Sequence, residues 1–152
     1  MIPDSLATQP IFLCVDDTMV AKAGTRFENV SKLFDHAAHN GSNYLNGHCF
    51  VSIMLCIPVW KNDRVSYLSL PLGYRMWQKK ESKLELAASM IRQVMPEFQE
   101  KKQVIILCDS WYTKRNLVSI VDEYLNLDLI GNARIDSVMY LSLIHISEPT
   151  RP

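Results

Sequence analysis

The chain carries no net charge, because 16 Lys and Arg residues are balanced by 16 Asp and Glu. It lacks the global basicity that marks many nucleic-acid-binding domains, although an acidic site can cancel a basic rim within one total. It also lacks any CxxC pair. Its four cysteines, Cys14, Cys49, Cys56 and Cys108, sit singly inside apolar runs. This suits reduced core thiols in a cytosolic protein and gives no disulfide framework. No apolar run is long enough to cross a bilayer: the longest, Cys49 to Trp60, is short and contains Pro58. The first residues, MIPDSLATQP, have no basic region ahead of an apolar core, so no signal peptide is expected. Internal repeats and low-complexity segments are missing as well. These absences point to a cytoplasmic location without membrane association. What remains is a soluble globular composition, 48% hydrophobic and 21% charged over 152 residues, enough for one domain with a sizeable core.

The most informative stretch is Ile11 to Lys22, IFLCVDDTMVAK. An apolar run ending in a polar cluster reads as a buried strand. Its tip carries two adjacent carboxylates, Asp16 and Asp17. Like charges side by side repel, and burial adds to the cost. A divalent cation would relieve both, although acids at strand ends also serve as turn formers and helix caps.

The rest of the chain alternates in type. After the first strand, about residues 11–16, a polar excursion runs to Asn46 with room for a short helix near Asn29 to His36. A long central strand is expected over Gly47 to Val59, then a polar turn at Lys61 to Arg64 and a strand over Val65 to Leu72. The last two pair as a hairpin. Helical spacing of Leu84, Leu86, Ala87, Met90, Ile91 and Val94 predicts a helix over 82–95, stopped by Pro96. Gln103 to Cys108 is a continuous apolar run, as in a strand buried on both faces. A second helix is expected over 113–124 and a last strand over 127–132. The fold class is α/β, with a mixed sheet of about five strands and helices packed on it.

The first strand and Gln103 to Cys108 both end in an acid. If they lie side by side and parallel, Asp16 and Asp109 meet at the carboxyl edge of the sheet, where open α/β sheets bind ligands. Two converging carboxylates can hold the divalent ions of phosphoryl transfer. Asp109 could equally cap the helix that follows. His36, His39, His48 and Cys49 make a weaker zinc constellation without a recognised second pair. Trp60, Trp77 and Trp111 could stack on bases, with hairpin packing the better reading for Trp60 and site lining for Trp111.

The tail, Leu141 to Pro152, reads LSLIHISEPTRP. Leu141 to Arg151 match, in order, one reading frame of a transposon-end adapter used to prepare sequencing libraries. Residues 1–140 are therefore expected to be a partial domain, and 141–152 a non-native tail.

VDDT with Lys22 and Gly24, then NYLNGHCFVSIML, then VIILCDSWYTKRNL together resemble the catalytic core of DDE transposases. The likeness is to bacterial insertion-sequence enzymes and covers about Pro10 to Arg134. The resemblance implies a ribonuclease-H-like fold, with Asp16 and Asp109 as the first two catalytic, metal-holding acids. Asp17, at the variable position of the D-x-T pattern, ranks behind them as a ligand. It implies two Mg²⁺ or Mn²⁺ ions and DNA as partner, both mobile-element ends and target. It further implies self-association of the intact enzyme and a nucleoid-associated bacterial setting. The intact enzyme would hydrolyse one phosphodiester and then join the freed 3′-OH to another. Lys22, Lys32, Lys114 and Arg115 become candidate phosphate contacts, and Trp111 a DNA contact.

The family's third acid, a Glu in a Y-x2-R-x3-E-x6-K pattern on a later helix, has no counterpart in this chain. Tyr112 and Arg115 have the first spacing, but Ser119 follows where Glu should stand, and Glu148 lies in the adapter-like tail. As it stands the chain is expected to be inactive, with one face of its sheet left as an apolar patch. A nuclease that cleaves without joining strands, and an inactive remnant that only binds DNA or a transposase partner, are the alternatives. A haloacid-dehalogenase-type phosphatase would need D-x-D-x-T, which CVDDT lacks.

Overall fold

The computed structural model describes residues 9–24, 26–34, 43–61, 64–98 and 102–133. Six strands form one sheet: β1 (Ile11–Ala21), β2 (Ser31–Phe34), β3 (Tyr44–Lys61), β4 (Arg64–Met76), β5 (Val104–Cys108) and β6 (Leu127–Gly131). Two α-helices accompany them, α1 (Lys83–Val94) and the four-residue α2 (Arg115–Val118). β1 lies at the centre, antiparallel to β3 and parallel to β5, and β6 extends the sheet parallel to β5. β2 and β4 share the other flank of β3, one after the other along its length. This is a mixed α/β sheet of the ribonuclease-H-like kind.

Four expected elements differ in form. The first strand, expected over about 11–16, runs on to Ala21 because its pairing with β3 continues to Ala21↔Gly47, so Asp16 and Asp17 lie within the strand and not at its tip. Within the stretch Asn29 to His36, Ser31–Phe34 form strand β2 and not a helix, and Asn29 before it is a turn residue with positive φ. Leu33 is buried there, and the residues from Ser31 to Phe34 pair with Tyr44 to Gly47. The hairpin strands are longer than expected, because backbone pairing continues from Lys61↔Arg64 to Phe50↔Met76 past a register shift at Ile53/Met54. The helix expected over 113–124 is one α-turn followed by a 3-10 turn, Ser119–Glu123. Only Leu117 and Ile120 of that segment are fully buried, too few anchors to drive a longer α-helix. The tail from Leu141, and His36 and His39, lie outside the described residues.

α1 begins with a capping box. The Ser82 hydroxyl accepts from the Glu85 amide, and the Glu85 carboxylate accepts from the Ser82 amide and hydroxyl. The bonds from the Ser82 amide and hydroxyl hold the Glu85 carboxyl below its usual value. The helix ends at Val94, and Pro96 sits in the 3-10 turn that follows.

Strand alternation sorts the sheet into two faces. Ile11, Leu13 and Val15 of β1, Val51, Ile53 and Leu55 of β3, and Val104 and Ile106 of β5 join Leu86, Ala87, Ile91, Leu117 and Ile120 of the helical layer in one core. The opposite face carries Phe12 and Cys14, Met54 and Cys56, and Ile105 and Leu107, all half-buried. Among the described residues no helix packs on it. Trp60, read as hairpin packing, is instead 61% exposed. No described helix is long and apolar enough to cross a membrane.

Candidate active site

β1 and β5 are paired in register from Ile11↔Val104 to Val15↔Cys108. Asp16, inside β1, and Asp109, the first residue past β5, each follow the last pair of that register, so the two acids are neighbours at its end. Alternation puts both on the face away from the helices. Both are exposed.

Each acid keeps one oxygen fixed. Oδ1 of Asp16 accepts from the Asp17 amide at 2.8 Å. Oδ1 of Asp109 accepts from the amides of Trp111 at 3.0 Å and Tyr112 at 3.2 Å. Asp109 therefore caps the tight turn after β5, while the N-cap position of α2 is Lys114, which makes no side-chain cap. The turn is tied further by the Thr113 hydroxyl, which donates to the Asp109 carbonyl at 2.9 Å. Gly131, at the end of β6, makes room for it. A Cβ there would come within 2.6 Å of Thr113 Oγ1, a contact real side chains do not make.

Asp17 is placed differently. It follows Val15 by two residues, so it points to the helix face. There Lys83 Nζ of α1 lies 2.6 Å from its Oδ2. Cys49 Sγ donates to the same oxygen at 3.2 Å, and the Tyr112 hydroxyl donates to Oδ1 at 3.2 Å. Burial pulls the Lys83 ammonium down, but the hydrogen bond and charge of Asp17 outweigh it and hold it above its usual value. Burial, reinforced by Asp17, pushes the Cys49 thiol up to about 11. Burial and the Asp17 charge push the Tyr112 phenol far above its usual range as well.

These three shifts share a sign. Each group has a raised folded-state pKa, so its contribution is complete below its unfolded value and is lost as pH climbs through the folded one. Thermal melts should hold steady up to about pH 9 and fall as pH rises through about 11. Cys49→Ala should flatten the earliest part of that fall.

The remaining candidates divide in two. Lys22 and Lys32 are not brought to the acids. Lys22 lies six residues beyond Asp16, about 20 Å along the strand. Its ammonium sits over the Phe27 ring, and that of Lys32 over Tyr44. Trp111, Lys114 and Arg115 follow directly from Asp109. Lys114 Nζ is 4.5 Å from the centre of the Trp111 ring, and Lys83 Nζ is 5.3 Å from it. Lys83 also lies 5.5 Å from the Trp77 ring, with Lys79 at 6.0 Å on the same ring. A row of alternating lysines and indoles thus runs from Lys114 and Trp111, in the turn after Asp109, through Lys83 on the helix side to Trp77 and Lys79. Arg115 turns toward a cavity of about 300 Å³ shared with Glu85, Arg92, Asn116 and Ser119.

Sequence reading missed Lys83, Tyr112 and Cys49. The one available signal was parity: Ile11, Leu13 and Val15 mark odd positions of β1 as inward, and Asp17 is odd. Of the zinc constellation, only His48 and Cys49 are among the described residues. His48 and Cys49 are neighbours on a strand and face opposite ways, and the His48 ring is hydrogen-bonded to the Glu28 carbonyl at 2.8 Å. Among the described residues no three His, Cys, Asp or Glu side chains converge as a metal site.

The fold is thus a mixed α/β sheet with Asp16 inside β1 and Asp109 just past the end of β5, the parallel strand beside it. The chain belongs to the DDE superfamily endonuclease family, whose pattern matches residues 2–152. No curated protein matches it. Among solved structures it is similar to a piggyBac transposase, determined by cryo-EM as a synaptic complex with hairpin DNA. The identity is 15% and the TM-score 0.49, over 93% of this chain and 26% of that one. The chain thus spans about a quarter of that transposase's length.

Proposed function

We propose that this chain is part of the catalytic domain of a transposase-type DDE endonuclease, in which Asp16 and Asp109 are the catalytic acids. The observation that carries this reading is their placement: next to each other at the end of the β1–β5 register, on one face, both exposed. The donor set fits a hard divalent cation such as Mg²⁺ or Mn²⁺. Oδ2 of each acid accepts no hydrogen bond among the described residues, and carboxylate oxygens with water and phosphate suit such ions. Asp17 does not fit that role, since both its oxygens are already engaged on the helix side. When bound, such ions supply Lewis-acid activation and charge stabilisation at a phosphodiester.

The protein's own groups would do the rest. Asp16 and Asp109 would hold the divalent ions at the sheet edge, where the reacting phosphate would meet them. Lys114 and the exposed lysine of the indole row, Lys79, meet the DNA backbone, and Trp111 offers an aromatic surface beside it. In the intact protein the same site would join a freed 3′-OH to target DNA, with self-association bringing two element ends together. The third acid would come from sequence beyond Tyr140, and a Glu codon in the genomic DNA past that point is the test of that part.

The metal reading is tested on the chain itself. Mn²⁺ at a hundredfold over its Kd should add about 2.7 kcal/mol to stability, read as a rise in Tm. Asp16→Asn and Asp109→Asn should each remove that rise. A Tm indifferent to Mn²⁺, or a rise that survives both substitutions, would sink the reading.

A further inference from the structure

We propose that Asp17 and Tyr112 form a brace that sets the position of the two catalytic acids, acting through them rather than on the substrate. The inference rests on the assignment of Asp16 and Asp109 above and deepens it.

Tyr112 is fully buried and belongs to the turn that Asp109 caps. Its amide donates to Asp109 at both Oδ1 and the carbonyl oxygen, each at 3.2 Å. Its hydroxyl reaches across to Oδ1 of Asp17 at 3.2 Å. Asp17 in turn donates its amide to Oδ1 of Asp16 at 2.8 Å. A continuous chain of hydrogen bonds therefore runs Asp16, Asp17, Tyr112, Asp109. It passes beneath the sheet edge on the side opposite the open face. The β1–β5 register ends at Val15↔Cys108, and beyond that point this chain of bonds ties β1 to the turn after β5. Lys83 and Cys49 hold the other oxygen of Asp17, which anchors the brace to α1 and β3.

The geometry also explains two adjacent acids in one strand. Strand alternation points one outward to the site and the other inward. A carboxylate is suited to the inward position because it accepts from a phenol, a thiol and an ammonium at once. An Asn there would keep the shape but lose acceptor capacity and charge.

The test uses the full chain with Tyr112→Phe and Asp17→Asn, two substitutions that preserve volume. Amide hydrogen exchange is followed at Trp111 and Tyr112, whose N–H groups donate to Asp109, against core amides of β1 and β5. Both substitutions should speed exchange at the Asp109 turn by at least about tenfold, the worth of one charge-assisted hydrogen bond, at unchanged protection of the core. The double variant should exceed neither single one, because both break the same link. Mn²⁺ affinity should fall in both variants while remaining measurable. Unchanged exchange at Trp111 and Tyr112 would overturn the brace whatever the metal does. Loss of Mn²⁺ binding in Asp17→Asn with none in Tyr112→Phe would overturn it in favour of Asp17 as a ligand. Faster exchange in a chain that never binds Mn²⁺ would support the brace and refute the metal site, which keeps the two readings separable.

Discussion

Asp109→Asn in the intact protein is expected to cut phosphodiester cleavage about 10³-fold, with Asp16→Asn close behind. The size follows from removing several kcal/mol of metal-supplied charge stabilisation, at one decade of rate per 1.36 kcal/mol. Asn keeps the Oδ1 hydrogen bonds that cap the turn after β5, so folding should be nearly untouched and the loss confined to chemistry. Asp128→Asn is the matched control. Asp128 pairs with Ile105 on β6, so it lies on the same open face, but one strand further out. Its carboxylate accepts from Gln103 Nε2 at 2.8 Å. Its substitution should leave cleavage unchanged. A nicking assay on supercoiled DNA with Mn²⁺ reads both. Equal losses at Asp109 and Asp128 would show a surface charge effect instead of a catalytic pair.

The second large effect is on stability. Lys83→Met should cost about 3 kcal/mol, because it strands the Asp17 carboxylate in the helix-side layer without its cation. That is the low end for a broken buried pair, and it is chosen because the two side chains keep 18% and 19% of their surface. Tyr112 and Cys49 still donate to Asp17 and soften the loss further. Denaturant unfolding at pH 7 reads the difference. The double variant Lys83→Met with Asp17→Leu should recover part of it, since no charge then remains to be desolvated. A loss below about 0.5 kcal/mol would mark the pair as an ordinary surface ion pair.

Much of this arrangement was legible in the sequence, and the illegible part has physical causes. The parallel pairing of β1 with β5 was posed as a condition by two apolar runs each ending in an acid, and the structure meets it; α1 followed from the 3.6-residue spacing and the stop at Pro96. β2 escaped because only Leu33 of its four residues is buried. Its strand form is imposed by backbone bonds to β3, a tertiary effect that propensity does not carry. The segment after Asp109 looked helical because Leu117, Ile120, Val121 and Tyr124 have the right spacing. The turn that Asp109 and Thr113 enforce spends the first residues of that segment. At the site, Asp16 and Asp109 stood out as candidates because acids that close apolar runs are visible as types in a pattern. Lys83 did not, because a lysine in the first turn of a helix looks like any solvated charge until α1 lays it against Asp17 of β1. Lys22 was misplaced for the opposite reason. Nearness in sequence suggested nearness to the acid, and an extended strand carries six residues out of reach.

The length of β4 has a bearing on how such a chain survives in a crowded cell. β4 pairs with β3 along one side only among the described residues, so thirteen residues of backbone amides and carbonyls run along an outer border. Tyr67, Leu68, Leu70, Leu72 and Tyr74 are all at least 40% exposed along it. A border of that kind invites a second sheet to add itself strand by strand. Pro71 interrupts the row of donors near its middle, opposite Met54, where the pairing register slips. Arg64 and Arg75 place positive charge near the two ends. The proline, the slip and the arginines make a poor template of what would otherwise be a seed for fibres.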